Sequence, residues 1–319
     1  MLGILPRQAL ARREAIWFWI FISPWILGFI FFRGLPILAS LGISFTNFSN
    51  SSVRPLAFVG LENYNALFND RIFYKSLQVS ALYTLFSVPL GIVFSLSLAM
   101  LLNQRVPFLG FFRTAYYLPA LIGGSVAVAY LFQLMLNPTF GVVNYFISAL
   151  VGPEGLIPLG VKGPGWFFDP KWVLPSFVLI SLWGFGGPML IYLAGLQGVP
   201  TVLYEAARID GAGAWSRFRN VTLPMISPVI LFTFITGIIG SFQIFTTAYV
   251  ISNGEGGPAY SSMFYVLYLY LNAFRRYRFG YASAMAWLLF IVILVLTVLA
   301  LRASRRAVYY ETPGDEKTV

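Results

Sequence analysis

Most of the residue types that carry enzyme chemistry are missing from this chain of 319 residues. It has no histidine and no cysteine, which removes imidazole bases, thiolate nucleophiles and the commonest metal ligands. Eleven carboxylates remain, and none falls deep within a long apolar run. The composition therefore disfavours an enzyme and most metal sites, and we expect no catalytic residue, metal or cofactor in this chain.

The most distinctive polar pattern lies at residues 201–224, between two long apolar runs. Helix-forming residues with Thr201 as N-cap predict a short helix along the inner surface of a membrane, and Gly211 predicts the turn that ends it. Small side chains at Ala206 and Ala207 would let another protein approach closely. The segment is either such a docking element or an ordinary interfacial helix.

Composition places the rest of the chain in a membrane. Hydrophobic residues make up 58% of it and charged residues only 10%, against about 25% charged in a soluble domain. Long uncharged runs indicate helices, which satisfy their own backbone in lipid. The net charge of +10 fits basic cytoplasmic loops, so membrane lipid and not nucleic acid is the expected surrounding.

Six apolar segments are predicted to cross the membrane. The first continues past Arg33, which we place at the outer interface, and is too long for a signal peptide. Residues 137–171 are expected to form an interfacial loop anchored by Trp166, Phe167 and Phe168, and residues 263–274 a short packed or interfacial helix. The predicted spans cover residues 16–45, 76–102, 114–136, 172–196, 225–251 and 281–301.

Six spans put both termini on one side of the membrane. That side carries twelve of the twenty-one Lys and Arg residues, which predicts that it is cytoplasmic. The chain is therefore divided into a cytoplasmic N-terminus (1–14), a transmembrane domain (15–302) with the cytoplasmic loop 201–224, and a cytoplasmic tail (303–319).

Residues 201–224, here the EAA loop, resemble the EAA motif of permease subunits of ABC importers. That motif usually has isoleucine where this chain has Val221. Matches elsewhere extend the resemblance over nearly the whole chain and narrow it to sugar-importer permeases of the maltose-transporter F-subunit type. The matching residues are Glu205-Ala206-Ala207, Gly211 and Val221-x-Leu223-Pro224, with 58–64, 118–119, 209–212, 241–245, 256–258, 273–274 and 280–284.

The resemblance implies an all-α membrane protein with the type I ABC importer permease fold, in a bacterial or archaeal cytoplasmic membrane. It implies four kinds of partner: a second, non-identical permease, two ATPase subunits that bind ATP and Mg, an external sugar-binding protein, and lipid. The chain itself has no Walker-type phosphate loop. The implied ATPase-coupling residues are Glu205, Ala206, Ala207, Asp210 and Gly211.

A sugar site within the membrane needs hydrogen-bonding groups and an aromatic face. Aligned on the EAA loop, the resemblance places this site in spans four and five. Because glycine and serine are also common where membrane helices pack, a packing role stays open for these residues. The candidates are Trp183, Gly184, Gly187, Gly237 and Ser241, with Gln243 as a further one.

An ion-coupled secondary transporter of small polar solutes is the alternative function. Such proteins carry acidic residues buried in the membrane, which the predicted spans lack. Arg275, Arg276 and Arg278 either contact the binding protein or form a solvated cluster. The sequence leaves open which sugar or polyol is carried.

Overall fold

The computed structural model describes residues 7–49, 56–104, 107–152, 156–157, 163–304 and 308. Over these residues the chain is helical, with one isolated β-bridge between Thr46 and Phe58. The predicted all-α fold is confirmed. Helices α1 to α16 are Arg7–Phe29, Leu35–Ser44, Glu62–Phe68, Arg71–Leu102, Leu109–Leu121, Val126–Met135, Val142–Val151, Pro170–Ser181, Gly186–Gln197, Thr201–Ile209, Ala214–Arg217, Leu223–Met225, Ser227–Phe242, Thr246–Ile251, Tyr265–Tyr270 and Phe279–Ser304.

Four stretches of helix in the described chain are long and apolar enough to cross a membrane without a sharp bend: Arg12–Ser44, α4, Ser227–Ile251 and α16. Two further spans are bent. Helices α5 and α6 meet at 101°, and the segment Pro170–Gly184 meets α9 at 50°. Counting each bent pair as one span gives the six that the sequence predicts.

The first of two compact units comprises Met1–Leu67 and Asn272–Trp287. Within it, the Asn63 side chain donates hydrogen bonds to the backbone carbonyls of Ser44 and Thr46, each at 2.8 Å. These bonds fasten α3 to the end of α2. Of the predicted segments 1–14 and 303–319, the structure describes residues 7–14, 303–304 and 308.

The second unit comprises Phe68–Leu271 and Leu288–Val319. Helix α4 is its centre, because it packs along both α9 and α13 and also contacts α8 and α15. One apolar cluster, here the core cluster, joins α4, α9 and the start of the fifth span. Its buried members are Leu96, Ala99, Leu102, Met189, Tyr192, Leu193, Leu196, Val199 and Ile226.

The third predicted span is not one continuous helix. Helix α5 ends at Leu121, and Gly124 has a φ of +69°, a backbone conformation that glycine adopts readily. Ser125 then caps α6 by accepting a hydrogen bond from the Val128 amide at 3.3 Å. The glycine pair is therefore a turn in the path of the chain.

The segment 137–171 is more ordered than the interfacial loop that the sequence predicts, because it contains α7. Trp166 and Phe167 are buried, and the Trp166 indole donates to Asn144 Oδ1 at 2.7 Å. Phe168 remains 67% exposed. Two of the three expected interfacial anchors are thus core residues, since a satisfied indole N–H is compatible with burial.

Candidate functional site

The EAA loop begins with α10, which directly follows Pro200. Thr201 is the first residue of that helix and not its N-cap as expected, because Pro200 takes the capping position, where it offers no side-chain oxygen. Gly211 has a φ of +76°, and the Ala212 amide donates to the Ala207 carbonyl at 2.8 Å. The turn predicted at Gly211 is present.

The predicted coupling residues lie on the accessible part of this loop. Glu205, Ala206, Asp210 and Gly211 are exposed, and Ala207 is half-buried. Alanines at two successive positions leave the surface there shallow. The loop can therefore take a close-fitting partner, and the assignment of these residues to an ATPase contact stays a prediction.

Sequence reasoning missed the apolar residues on the outside of α10. Ile209 is 87% exposed and Val202 is 67% exposed. Together with Ala206 they are spaced four and three residues apart, which places them on one helical face. This spacing could have been recognised in the sequence. In the structure the three residues form an apolar face that the described part of the chain leaves exposed.

A cavity of about 440 Å³ lies in the second unit. Its wall is formed by α4, the break between α5 and α6, the α8–α9 bend, and α13. Among the described residues that line it, none carries a charge. The polar and aromatic lining residues are Tyr83, Ser87, Ser95, Phe177, Ser181, Trp183, Phe185, Thr233, Ser241 and Thr247.

Four of the predicted substrate residues lie in the wall of this cavity: Trp183, Gly184, Gly237 and Ser241. Ser241 Oγ is 2.8 Å from Thr84 Oγ1, a hydrogen bond that ties α13 to α4. Gly187 and Gln243 are not among the lining residues. Gln243 is exposed, just beyond the end of α13.

The fourth span bends where it meets the cavity. A short 3-10 turn, Leu182–Gly184, separates α8 from α9. The Trp183 ring packs edge-on against Phe132 with the ring centroids 5.5 Å apart. Its indole Nε1 is buried and has no hydrogen-bond partner among the described residues. The wall therefore contains a hydrogen-bond donor that another conformation or a solute could satisfy.

The contribution of α4 was not predicted. Tyr83, Ser87, Gly91 and Ser95 all line the cavity and recur every fourth residue, so they share one face of the helix. The signal was a period of four in hydroxyl groups and glycine within an otherwise apolar run. Hydroxyls and aromatic rings around an uncharged cavity suit a neutral, polyhydroxylated solute.

Arg33 is exposed within a π-helical turn, Ile30–Gly34. Arg275, Arg276 and Arg278 are also exposed, and the Arg278 guanidinium lies 4.4 Å from the centre of the Tyr281 ring. For Arg275, Arg276 and Arg278, a contact with the binding protein and a solvated cluster both stay open. The part of the chain that the structure describes holds no cluster of three or more His, Cys, Asp or Glu suited to a metal ion.

The family model for "Binding-protein-dependent transport system inner membrane component" matches residues 91–308. The chain is 38% identical over 305 residues to a probable ABC transporter permease protein, YesP, of Bacillus subtilis, with 95% of each chain covered. It is 35% identical to the lactose transport system permease protein LacF of Rhizobium radiobacter, with 94% of this chain and 97% of LacF covered.

A solved structure has the same fold. It is a bacterial alginate ABC transporter in complex with an alginate pentasaccharide-bound periplasmic protein, and one of its chains matches with a TM-score of 0.79 and 23% identity. The match covers 96% of this chain and all of that one. The family match and these relatives do not favour the ion-coupled alternative. The chain belongs to the binding-protein-dependent inner-membrane components, the non-catalytic permease subunits of ABC importers, and its relatives include carbohydrate permeases.

Proposed function

We propose that this permease forms half of the path by which an uncharged carbohydrate crosses the membrane. The observation that carries the proposal is the 440 Å³ cavity with its uncharged, hydroxyl- and aromatic-rich wall. A charged solute would lose its hydration there without finding a counter-charge in this chain, which is costly. Trp183 and Ser241 are the proposed substrate contacts, with Gly184 and Gly237 giving access to the backbone.

The rest of the machinery is proposed to lie in other subunits. A second, non-identical permease completes the pathway, an external binding protein delivers the sugar, and a pair of ATPase subunits binds ATP and Mg. This assignment is supported by the family and by LacF-like relatives over nearly the full chain. In this arrangement the permease contributes conformational change, driven by ligands that bind its two states unequally.

The EAA loop is the proposed ATPase contact. Its support is geometric: an exposed helix with two alanines, an apolar outer face and a closing turn at Gly211. Glu205 and Asp210 supply charge at the rim of this surface. The loop, and with it both termini, lies on the cytoplasmic side, as the excess of Lys and Arg there favours.

Reconstitution tests the transport proposal. The two permeases, the ATPase and the binding protein, co-expressed and placed in liposomes, are expected to take up a labelled neutral disaccharide such as lactose or maltose only with ATP and binding protein present. Uptake driven by an ion gradient alone would contradict it. Uptake of uronate oligomers in preference to a range of neutral ones would contradict the uncharged class.

Two substitutions separate the coupling role from the transport path. Ala207→Arg puts a long cation into the half-buried edge of the loop and is expected to remove the ATPase from the purified complex. Trp183→Ala is expected to leave the ATPase bound but to change the uptake affinity. If Ala207→Arg leaves a normal complex with normal uptake, the loop is not the ATPase contact.

A further inference from the structure

Helix α10 is attached to its own subunit through few side chains. Seven of its nine residues are exposed, while Tyr204 and Ala207 are half-buried. The Tyr204 ring packs against the core cluster. Because a helix of this length is marginal in isolation, its position depends on such anchors.

The Tyr204 hydroxyl reaches across to the segment that starts the fifth span. It lies 3.0 Å from Thr222 Oγ1, within hydrogen-bond distance. Thr222 is buried and is the last residue of a π-helical stretch, Phe218–Thr222. Its carbonyl accepts from the amide of Ile226, which is a buried member of the core cluster. The hydrogen bond therefore joins α10 to the start of the fifth span.

The backbone path between these two points turns sharply. From α10 it passes through Gly211, with a φ of +76°, and Gly213 before α11 begins. Glycines at a turn give the backbone freedom to bend. The Tyr204–Thr222 contact crosses this turn through side chains and so links the two segments independently of the bending backbone.

Beyond Thr222 the fifth span leads to the cavity. Thr233, Gly237 and Ser241 of α13 lie in the cavity wall. The Thr233 hydroxyl is hydrogen-bonded to the hydroxyl of Tyr192, which belongs to the core cluster that Tyr204 touches. A continuous series of packed and hydrogen-bonded residues therefore links α10 to the cavity wall.

We propose that Tyr204 and Thr222 are positioning residues of coupling, and that their hydrogen bond transmits movement of the EAA loop to α13. This inference rests on the proposed contact between the loop and the ATPase. Neither residue lines the cavity. Their role is to hold α10 and the start of the fifth span together, so that the two move together.

The test is independent of the identity of the sugar. Because the chain has no cysteine, a single Gly240→Cys in the cavity wall can report on that wall through its rate of labelling by N-ethylmaleimide. A side chain at this position meets no atom within 4 Å. In the purified complex with its ATPase, ATP with vanadate is expected to change this labelling rate, and ATP hydrolysis is measured in parallel.

Tyr204→Phe and Thr222→Val each remove the hydrogen bond and keep most of the volume. We expect either change to reduce the ATP-dependent change in labelling about fivefold, while the ATPase remains bound and hydrolyses ATP. The double variant should be no worse than Thr222→Val alone, since that change already removes both bonds of the Thr222 hydroxyl, the one with Tyr204 and the one at 3.4 Å to the Arg217 carbonyl. Thr222→Ser keeps the hydroxyl and should retain the response.

Matched controls are Thr236→Val, whose hydroxyl bonds to carbonyls of its own helix, and Tyr130→Phe on α6. Both should behave as the parent. The inference is overturned if the single variants keep the parental response, if their losses multiply, if Thr222→Ser is as impaired as Thr222→Val, or if the variants fail to assemble. Absence of ATPase from the parent complex would instead refute the proposed function.

Discussion

Gly211 shows at the scale of one residue what the EAA loop requires. Its φ of +76° disfavours L side chains, whereas a Cβ there would meet no atom within 4 Å. The obstacle to substitution is therefore backbone strain and not lack of space. A left-handed conformation costs non-glycine residues about 1–2 kcal/mol, with asparagine the best tolerated.

We accordingly expect a graded series at this position. Gly211→Asn should retain most uptake, Gly211→Ala less, and Gly211→Val least, because a β-branched residue fits this backbone worst. ATP-driven uptake in liposomes at matched protein levels gives the order. The same three changes at Gly213, whose φ is −67°, are the control and should show no such order. Equal activity of Asn and Val at Gly211 would contradict the strain argument.

A substitution at Ile209 can distinguish a loss of ATPase binding from a loss of stability of the permease. Since 87% of its side chain is exposed, Ile209→Ser removes almost no packing within this chain. The free energy of unfolding of the isolated permease in detergent should change by less than about 0.5 kcal/mol. Retention of the ATPase on the purified complex should fall, because an apolar contact is lost.

Leu61→Ser provides the comparison, since Leu61 is also mostly exposed but lies far from the EAA loop in sequence. It should leave ATPase retention at the parental level. If both substitutions, or neither, weaken retention, then the outer face of α10 is not a specific contact.

At the scale of helices, hydropathy identified the spans but not their continuity. Residues 114–136 carry no charge and are mostly apolar, and this composition is the same whether a helix runs straight or turns at Gly124. What decides is local backbone chemistry: a left-handed glycine and a serine cap after it. The cavity, too, could be predicted only in part from the sequence. Trp183 and Ser241 were placed by alignment on the loop, whereas α4 was missed because its hydroxyls resemble ordinary packing residues.

The neighbouring glycines at the start of α9 have opposite requirements. A Cβ on Gly186 would meet the Tyr116 carbonyl oxygen and approach Tyr117 Cα to 3.0 Å, whereas one on Gly187 meets nothing within 4 Å. Gly186→Ala should force α5 and α9 apart and destabilise the permease by about 1–3 kcal/mol. Gly187→Ala should be neutral or slightly stabilising, since alanine favours helices.

Thermal unfolding of the two variants in the same detergent measures this difference directly. A lower midpoint for Gly186→Ala alone confirms that α5 and α9 are in backbone contact. Equal midpoints would show that the contact relaxes without cost. Gly187→Ala then also tests the predicted substrate role of Gly187, because any change in uptake would come from a correctly folded protein.

The predicted orientation of the protein in the membrane rests on a modest bias of twelve against nine basic residues. The absence of cysteine makes it directly testable by single-cysteine labelling. Glu255→Cys and Arg219→Cys both replace exposed side chains, in the loop after the fifth span and in the EAA loop respectively. With a cytoplasmic EAA loop, an impermeant maleimide added to intact cells should label the first and not the second.

Lysis should then expose Arg219→Cys to the reagent, while the cysteine-free parent stays unlabelled throughout. Ile291→Cys, on a half-exposed face of α16, distinguishes exposure to lipid from exposure to water. A thiol reacts as the thiolate, which does not form in hydrocarbon, so this position should stay unlabelled in both conditions. Labelling of Arg219→Cys in intact cells would invert the topology and put the EAA loop on the side where no ATPase can reach it.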